Sequence, residues 1–74
     1  MARLPQTSGK RLVQALEKIG WAVHHQRGSH VVLKNPRKED ARITVPMHAT
    51  LKKGTLSAIL KDAGITGDEL RELL

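Results

Sequence analysis

Cysteine is absent from the 74 residues, as are phenylalanine and tyrosine, and a single tryptophan supplies the whole of the Phe, Tyr and Trp content. Without cysteine there is no disulfide staple, no thiolate metal ligand and no thiol nucleophile, and a reducing cytoplasm is the natural setting. With one large aromatic ring, readers of RNA that stack successive bases on aromatic side chains are disfavoured. No apolar run follows Met1-Ala2-Arg3-Leu4-Pro5, so neither a signal peptide nor a membrane-spanning helix is expected. Acidic residues are scarce, and Asp62, Asp68, Glu69 and Glu72 all fall in the last quarter of the chain. No convergent set of acids is left for two-metal hydrolysis. Glycine is present but not in the spacing of a phosphate-cradling loop, which Gly9-Lys10 lacks.

What is abundant is positive charge. Thirteen Lys and Arg stand against seven Asp and Glu, a net charge of +6. The imbalance lies before residue 54, where the only acids are Glu17, Glu39 and Asp40. A cationic surface of this kind is the electrostatic footprint of a polyanion such as nucleic acid. A chain this short buries only about 60% of the surface its unfolded form exposes, so one thin core is expected and a deep substrate pocket is not. Chemistry on an open face, performed on a large polymer, suits such a domain better.

Ser8 is placed to cap a helix over residues 9–19, with Leu12, Val13, Leu16 and Ile19 as its apolar stripe and Gly20 as its stop. Residues 21–26 read as a strand with Trp21, Val23 and His25 on one side, and Trp21 as a core anchor. Residues 27–29 form a turn and residues 30–34 a second strand. The polar stretch 35–40, broken by Pro36, reads as a turn region, and Arg42-Ile43-Thr44-Val45 alternates as a half-buried third strand ended by Pro46. Turns this short give an antiparallel meander. Residues 47–53 make a basic loop. Thr55 is then placed to cap a helix over residues 56–63, stopped by Gly64, and Thr66-Gly67-Asp68-Glu69 has the capping-box pattern for a short last helix. If Val31 and Leu33 face the helices, alternation turns His30, Val32 and Lys34 outward, and on the third strand it buries Ile43 and Val45 and exposes Arg42 and Thr44.

The stretch Gln26-Arg27-Gly28-Ser29-His30 concentrates the chemistry. Histidine changes charge near neutral pH, as general acid–base work requires, and the Arg27 guanidinium offers a planar fork of donors for phosphate. Ser29 and His30, as strand neighbours, face apart and do not make a nucleophile–base pair. His24 and His25 are expected to point to opposite faces, and no carboxylate is placed to complete a set with His30 and His48, so no metal site is expected. One chemistry remains feasible, metal-independent RNA cleavage. There the ribose 2′-hydroxyl is the nucleophile, and the protein supplies a proton-transfer group, here His30, and cations, here Arg27, Lys34 or the Lys52-Lys53 pair. Surface histidines are mostly inert, so the residues alone leave two alternatives open. One is a non-catalytic module that binds RNA through phosphate and 2′-hydroxyl contacts, and the other is a protein whose basic face serves only an acidic partner.

The succession Ser8-Gly9-Lys10, Gly20-Trp21, Gly28-Ser29-His30, Val45-Pro46-Met47-His48 and Gly54-Thr55-Leu56 with Ile59 and Lys61 resembles the HicA family of bacterial toxins, from Ser8 to about Leu70. The resemblance implies an α+β fold like the double-stranded-RNA-binding domain, with helices on one face of a three-stranded antiparallel sheet, as one HicA-like domain over residues 1–74. It also implies ribosome-independent cleavage of mRNA that arrests translation and growth, with His30, the histidine of Gly-Ser-His, as the catalytic residue and no cofactor. The expected RNA contacts are Lys10, Arg27, Ser29, Lys34, His48, Lys52 and Lys53. The partner implied is a HicB-type antitoxin that covers His30 and commonly carries a DNA-binding domain, so no direct DNA binding by this chain is expected. Two features depart from the family pattern. Val31-Val32-Leu33 after the motif is wholly aliphatic, and residues 49–53 contain no acid.

Overall fold

The computed structural model of the chain describes residues 4–74, so the reading of Met1-Ala2-Arg3 as free of an apolar run lies outside the described residues. The elements follow in the order α1 (Gly9–Lys18), β1 (Ala22–Arg27), β2 (His30–Asn35), β3 (Lys38–Pro46), α2 (Lys53–Ala63) and α3 (Gly67–Leu73). The strands form one antiparallel sheet in the order β1-β2-β3. This is the α-β-β-β-α plan of the double-stranded-RNA-binding domain, as the sequence suggests. Among the described residues no helix is long and apolar enough to cross a membrane.

All the helices serve one face of the sheet. Leu12, Val13, Ala15 and Leu16 of α1, Leu56, Ile59 and Leu60 of α2 and Leu70 of α3 are buried with Val31, Leu33, Ile43 and Val45 of the sheet. The alternation along β2 and β3 is therefore the expected one. Trp21 is also buried, as expected of an anchor. Its backbone N–H donates to the Leu16 carbonyl while that of Gly20 donates to Glu17, so the helix end folds Trp21 back under α1. Ile19, assigned to the apolar stripe by spacing, instead terminates α1 and is 37% exposed. Lys18 donates through Nζ to the Leu73 carbonyl at 2.6 Å, tying α3 to α1.

Several boundaries differ from expectation. The stretch 35–40 is not a long turn: Asn35 pairs with Lys38, only Pro36-Arg37 turn, and β3 begins at Lys38. Thr55 does not cap α2. Lys52 stands at the N-cap with no side-chain hydrogen bond, and the helix starts at Lys53. A tertiary tie sets that start: the Leu51 N–H donates to the carbonyl of the buried Thr7 at 2.9 Å, and the Leu51 side chain is buried beside it. Thr66 and Glu69 do form the capping box that opens α3.

The first turn of α1 lies directly on the end of β3. Gly9 is buried, its N–H donates to the His48 carbonyl at 3.0 Å, and a Cβ there would overlap the Pro46 carbonyl oxygen and lie 2.9 Å from the Met47 Cα. Backbone cannot yield as a flexible side chain can, so Gly9→Ala is expected to destabilise the fold by about 1–3 kcal/mol, the usual range for overpacking. Gly54→Ala in α2 meets nothing within 4 Å and is expected to stabilise by about 0.4–1 kcal/mol. Urea unfolding of the two variants checks the pair, and equal signs would contradict this account of the close approach.

Candidate functional site

The hairpin that carries His30 is tighter than a three-residue turn. Arg27 is the last residue of β1 and pairs directly with His30, leaving Gly28-Ser29 as a two-residue connection. Gly28 has φ +59° and no non-glycine residue described has positive φ, so only the first central position is left-handed, the pattern of a type II′ turn. The Ser29 carbonyl accepts from Met47 N–H at 2.6 Å, which fastens the turn to the residues after β3.

Register then fixes what stands beside what on the open face. His30 lies between Arg27 and Pro46, Val32 between His25 and Thr44, and Lys34 between Ala22 and Arg42. Directly paired residues point to the same side of a sheet, and the intervening Val31 and Leu33 face the core. The three outward rows therefore contain His30, Arg27, His25, Lys34 and Arg42 and no acidic residue. Val32 is half-buried among them. His30, Arg27 and Arg42 are exposed.

Of the expected RNA contacts, Arg27 is the one placed directly against His30. Ser29 is exposed in the turn beside it, with its carbonyl engaged by Met47. Lys10 and His48 are exposed and come to the same end of the sheet through the Gly9–His48 hydrogen bond and the contact of Gly9 with Pro46, the partner of His30. Lys52 and Lys53 are exposed at the start of α2, one step beyond the Leu51–Thr7 tie. Lys34 stands apart, four residues along β2 from His30, or about 13 Å at the usual rise.

The sequence reading of β1 fails at one point. Val23 pairs with Leu33 and His25 with Val32, so His24 is the extra residue of a β-bulge. The bulge breaks the alternation: Trp21 is buried, Val23 on the helix-facing side is 47% exposed beyond the helices, and His25 turns to the open face. His24 and His25 therefore do not face apart. Their Nδ1 atoms are 2.7 Å apart and their rings meet edge-to-face with centroids at 4.9 Å. The expected obstacle to shared chelation is thus removed, but among the described residues no group of three or more His, Asp or Glu could hold a metal ion. Lys34 above all, together with partial desolvation, His25 and Arg42, holds the His24 pKa below the ordinary histidine value. A cavity of about 330 Å³ borders His24 at this end, lined also by Ala22, Val23, Lys34 and Glu39.

Comparison with known families matches residues 9–65 to the model of the HicA toxin of bacterial toxin–antitoxin systems. The chain belongs to the HicA toxin family. No curated protein matches it. The matched span begins at Gly9 and includes the Gly28-Ser29-His30 turn, Pro46-Met47-His48 and the whole of α2, so the segments that meet at the His30 end of the sheet all fall inside it.

A positive neighbour disfavours a second positive charge, so His24 should lose its proton at a lower pH than an ordinary histidine. Lys34→Gln should raise its midpoint toward the ordinary value of about 6.5. NMR titration of the imidazole resonances measures this, and a midpoint unmoved by the substitution would contradict the placement of Lys34 over His24.

Proposed function

We propose that this HicA-family chain is an endoribonuclease that cleaves mRNA independently of the ribosome and so arrests translation and growth. The observation that carries the proposal is the pairing of an exposed His30 with Arg27 on the open sheet face, where the three rows from His30 to Lys34 hold no carboxylate. RNA brings its own nucleophile in the ribose 2′-hydroxyl. The protein's tasks are to hold the phosphate, balance the charge of the transition state and move protons. Arg27, opposite His30, presents a bidentate donor to the scissile phosphate. His30 acts as a general acid or base toward a reacting oxygen. Lys10, Ser29, His48, Lys52 and Lys53 extend the contact across the helix starts, and Lys34 extends it along the sheet, so RNA binding gathers much of its strength from phosphate neutralisation and weakens as salt rises. This chemistry requires no metal ion and places the protein with its substrate in the cytoplasm.

The same open face is where a HicB-type antitoxin would act. A cationic surface favours a partner carrying carboxylates, and covering His30 excludes RNA from the phosphate site. DNA contact, in this reading, belongs to the antitoxin.

Incubation of the purified protein with a long mRNA in EDTA tests the proposal. His30→Ala should slow cleavage by about 10²–10⁴-fold, the usual worth of a general acid or base, with an unchanged circular dichroism spectrum because the side chain is exposed. Full activity in that variant would remove His30 from the mechanism. Intact RNA with the wild-type protein, accompanied by a mobility shift, would leave only a binding module.

A further inference from the structure

We propose that His25 is a second proton-transfer residue of the ribonuclease, the one that protonates the departing 5′-oxygen. The inference rests on the nuclease reading above. In-line displacement at phosphorus takes a proton from the 2′-hydroxyl on one side and delivers one to the 5′-oxygen on the opposite side, and a single imidazole does not stand beside both oxygens at once. The open face offers a second imidazole at a suitable place. His25 lies opposite Val32, and His30 is two residues before Val32. The two histidines are therefore diagonal neighbours on one face, about 7–8 Å apart with their Cβ atoms somewhat closer. Arg27, next along β1 on that face and opposite His30, stands beside the gap with its guanidinium available to a phosphate between the two rings.

The bulge prepares His25 for this part. His25 Nδ1 is 2.7 Å from His24 Nδ1, which leaves Nε2 as the atom free to meet RNA. Lys34 above all, then desolvation, His25 and Arg42, lower the His24 pKa below the ordinary histidine value. The two rings share one hydrogen bond between their Nδ1 atoms, and it holds the His25 ring with Nε2 outward. The other groups around His25 are Arg27 on its own strand, His30 and Lys34 on β2, and Arg42 and Thr44 on β3. None of these is an acid, and Glu39 borders the cavity on the His24 and Lys34 side, away from His30. His24 is thus a positioning residue, and the extra residue in β1 gains a purpose.

The step balances. The 2′-oxygen forms its bond to phosphorus as its proton passes to neutral His30, and the bond from phosphorus to the 5′-oxygen breaks as that oxygen takes the Nε2 proton of His25. The products are a 2′,3′-cyclic phosphate and a 5′-hydroxyl, with His30 protonated and His25 neutral. Proton exchange with water restores both.

A leaving group that needs no proton separates this role from a structural one. The substrate is an oligonucleotide carrying, at a linkage the wild-type protein cuts, sulfur in place of the bridging 5′-oxygen, compared with its all-oxygen counterpart. His25→Ala should lose about 10²–10⁴-fold on the all-oxygen substrate and return to within about tenfold of wild type on the sulfur substrate. His30→Ala should be impaired on both. Retained activity of His25→Ala on the all-oxygen substrate, or an equal loss on both substrates, would overturn the assignment. Wild-type protein that cuts neither substrate would overturn the nuclease reading itself, so the two failures are distinguishable.

Discussion

The close approach of α1 to the end of β3 is the constraint on which the arrangement around His30 depends. Gly9 touches Pro46 and Met47, and its N–H is bound to His48. Any side chain larger than hydrogen would push the helix start away from the strand. Because Pro46 is the register partner of His30 and Met47 is bound to Ser29, such a displacement would be felt at the turn that carries the histidine. One backbone contact thus links the first helix, the β1–β2 hairpin and the loop into α2.

One-sided packing accounts for the rest. A chain of this size has apolar side chains enough for one core, and the helices spend theirs on a single face of the sheet. The opposite face is left to residues that tolerate water, and here they are imidazole, guanidinium and ammonium groups. Cations held near one another on a pleated surface repel, a cost that a polyanion across the face relieves. Of the acids, Glu39 and Asp40 stand exposed at the start of β3, at the end of the strand away from Pro46 and His30, and Asp68 is held by Arg71 at 2.7 Å on α3. Fold and charge distribution together make the face of His30 the most cationic part of the sheet, which is why the proposal puts RNA there.

Much of this was legible in the residues. Alternation along β2 and β3 gave the inward and outward sides because each strand has one buried face, and the glycines at the helix ends gave the stops. The placement of His30 on an open face near Arg27 follows from those two signals. The bulge was not legible, because an inserted residue shows itself only against a partner strand, and His24-His25 alone reads as simple alternation. Nor was the start of α2. Thr55 is the better local cap, but the hydrogen bond between Leu51 and Thr7, residues far apart in sequence, begins the helix earlier. Ile19 satisfied the helical period, yet the chain reversal that buries Trp21 leaves it at the rim. The misses share a cause: each depends on a contact made outside the repeat of its own helix or strand.

The most direct test of the central claim, that RNA lies across the open face at the His30 end, is a two-dimensional NMR titration with a 2′-O-methyl RNA. Such an RNA has no nucleophile and stays intact. The account predicts that backbone shifts concentrate on His25, Arg27, Ser29, His30 and Thr44, with weaker changes at Lys10 and His48. Shifts confined to α3 and the outer surface of α2, with the sheet unmoved, would contradict it.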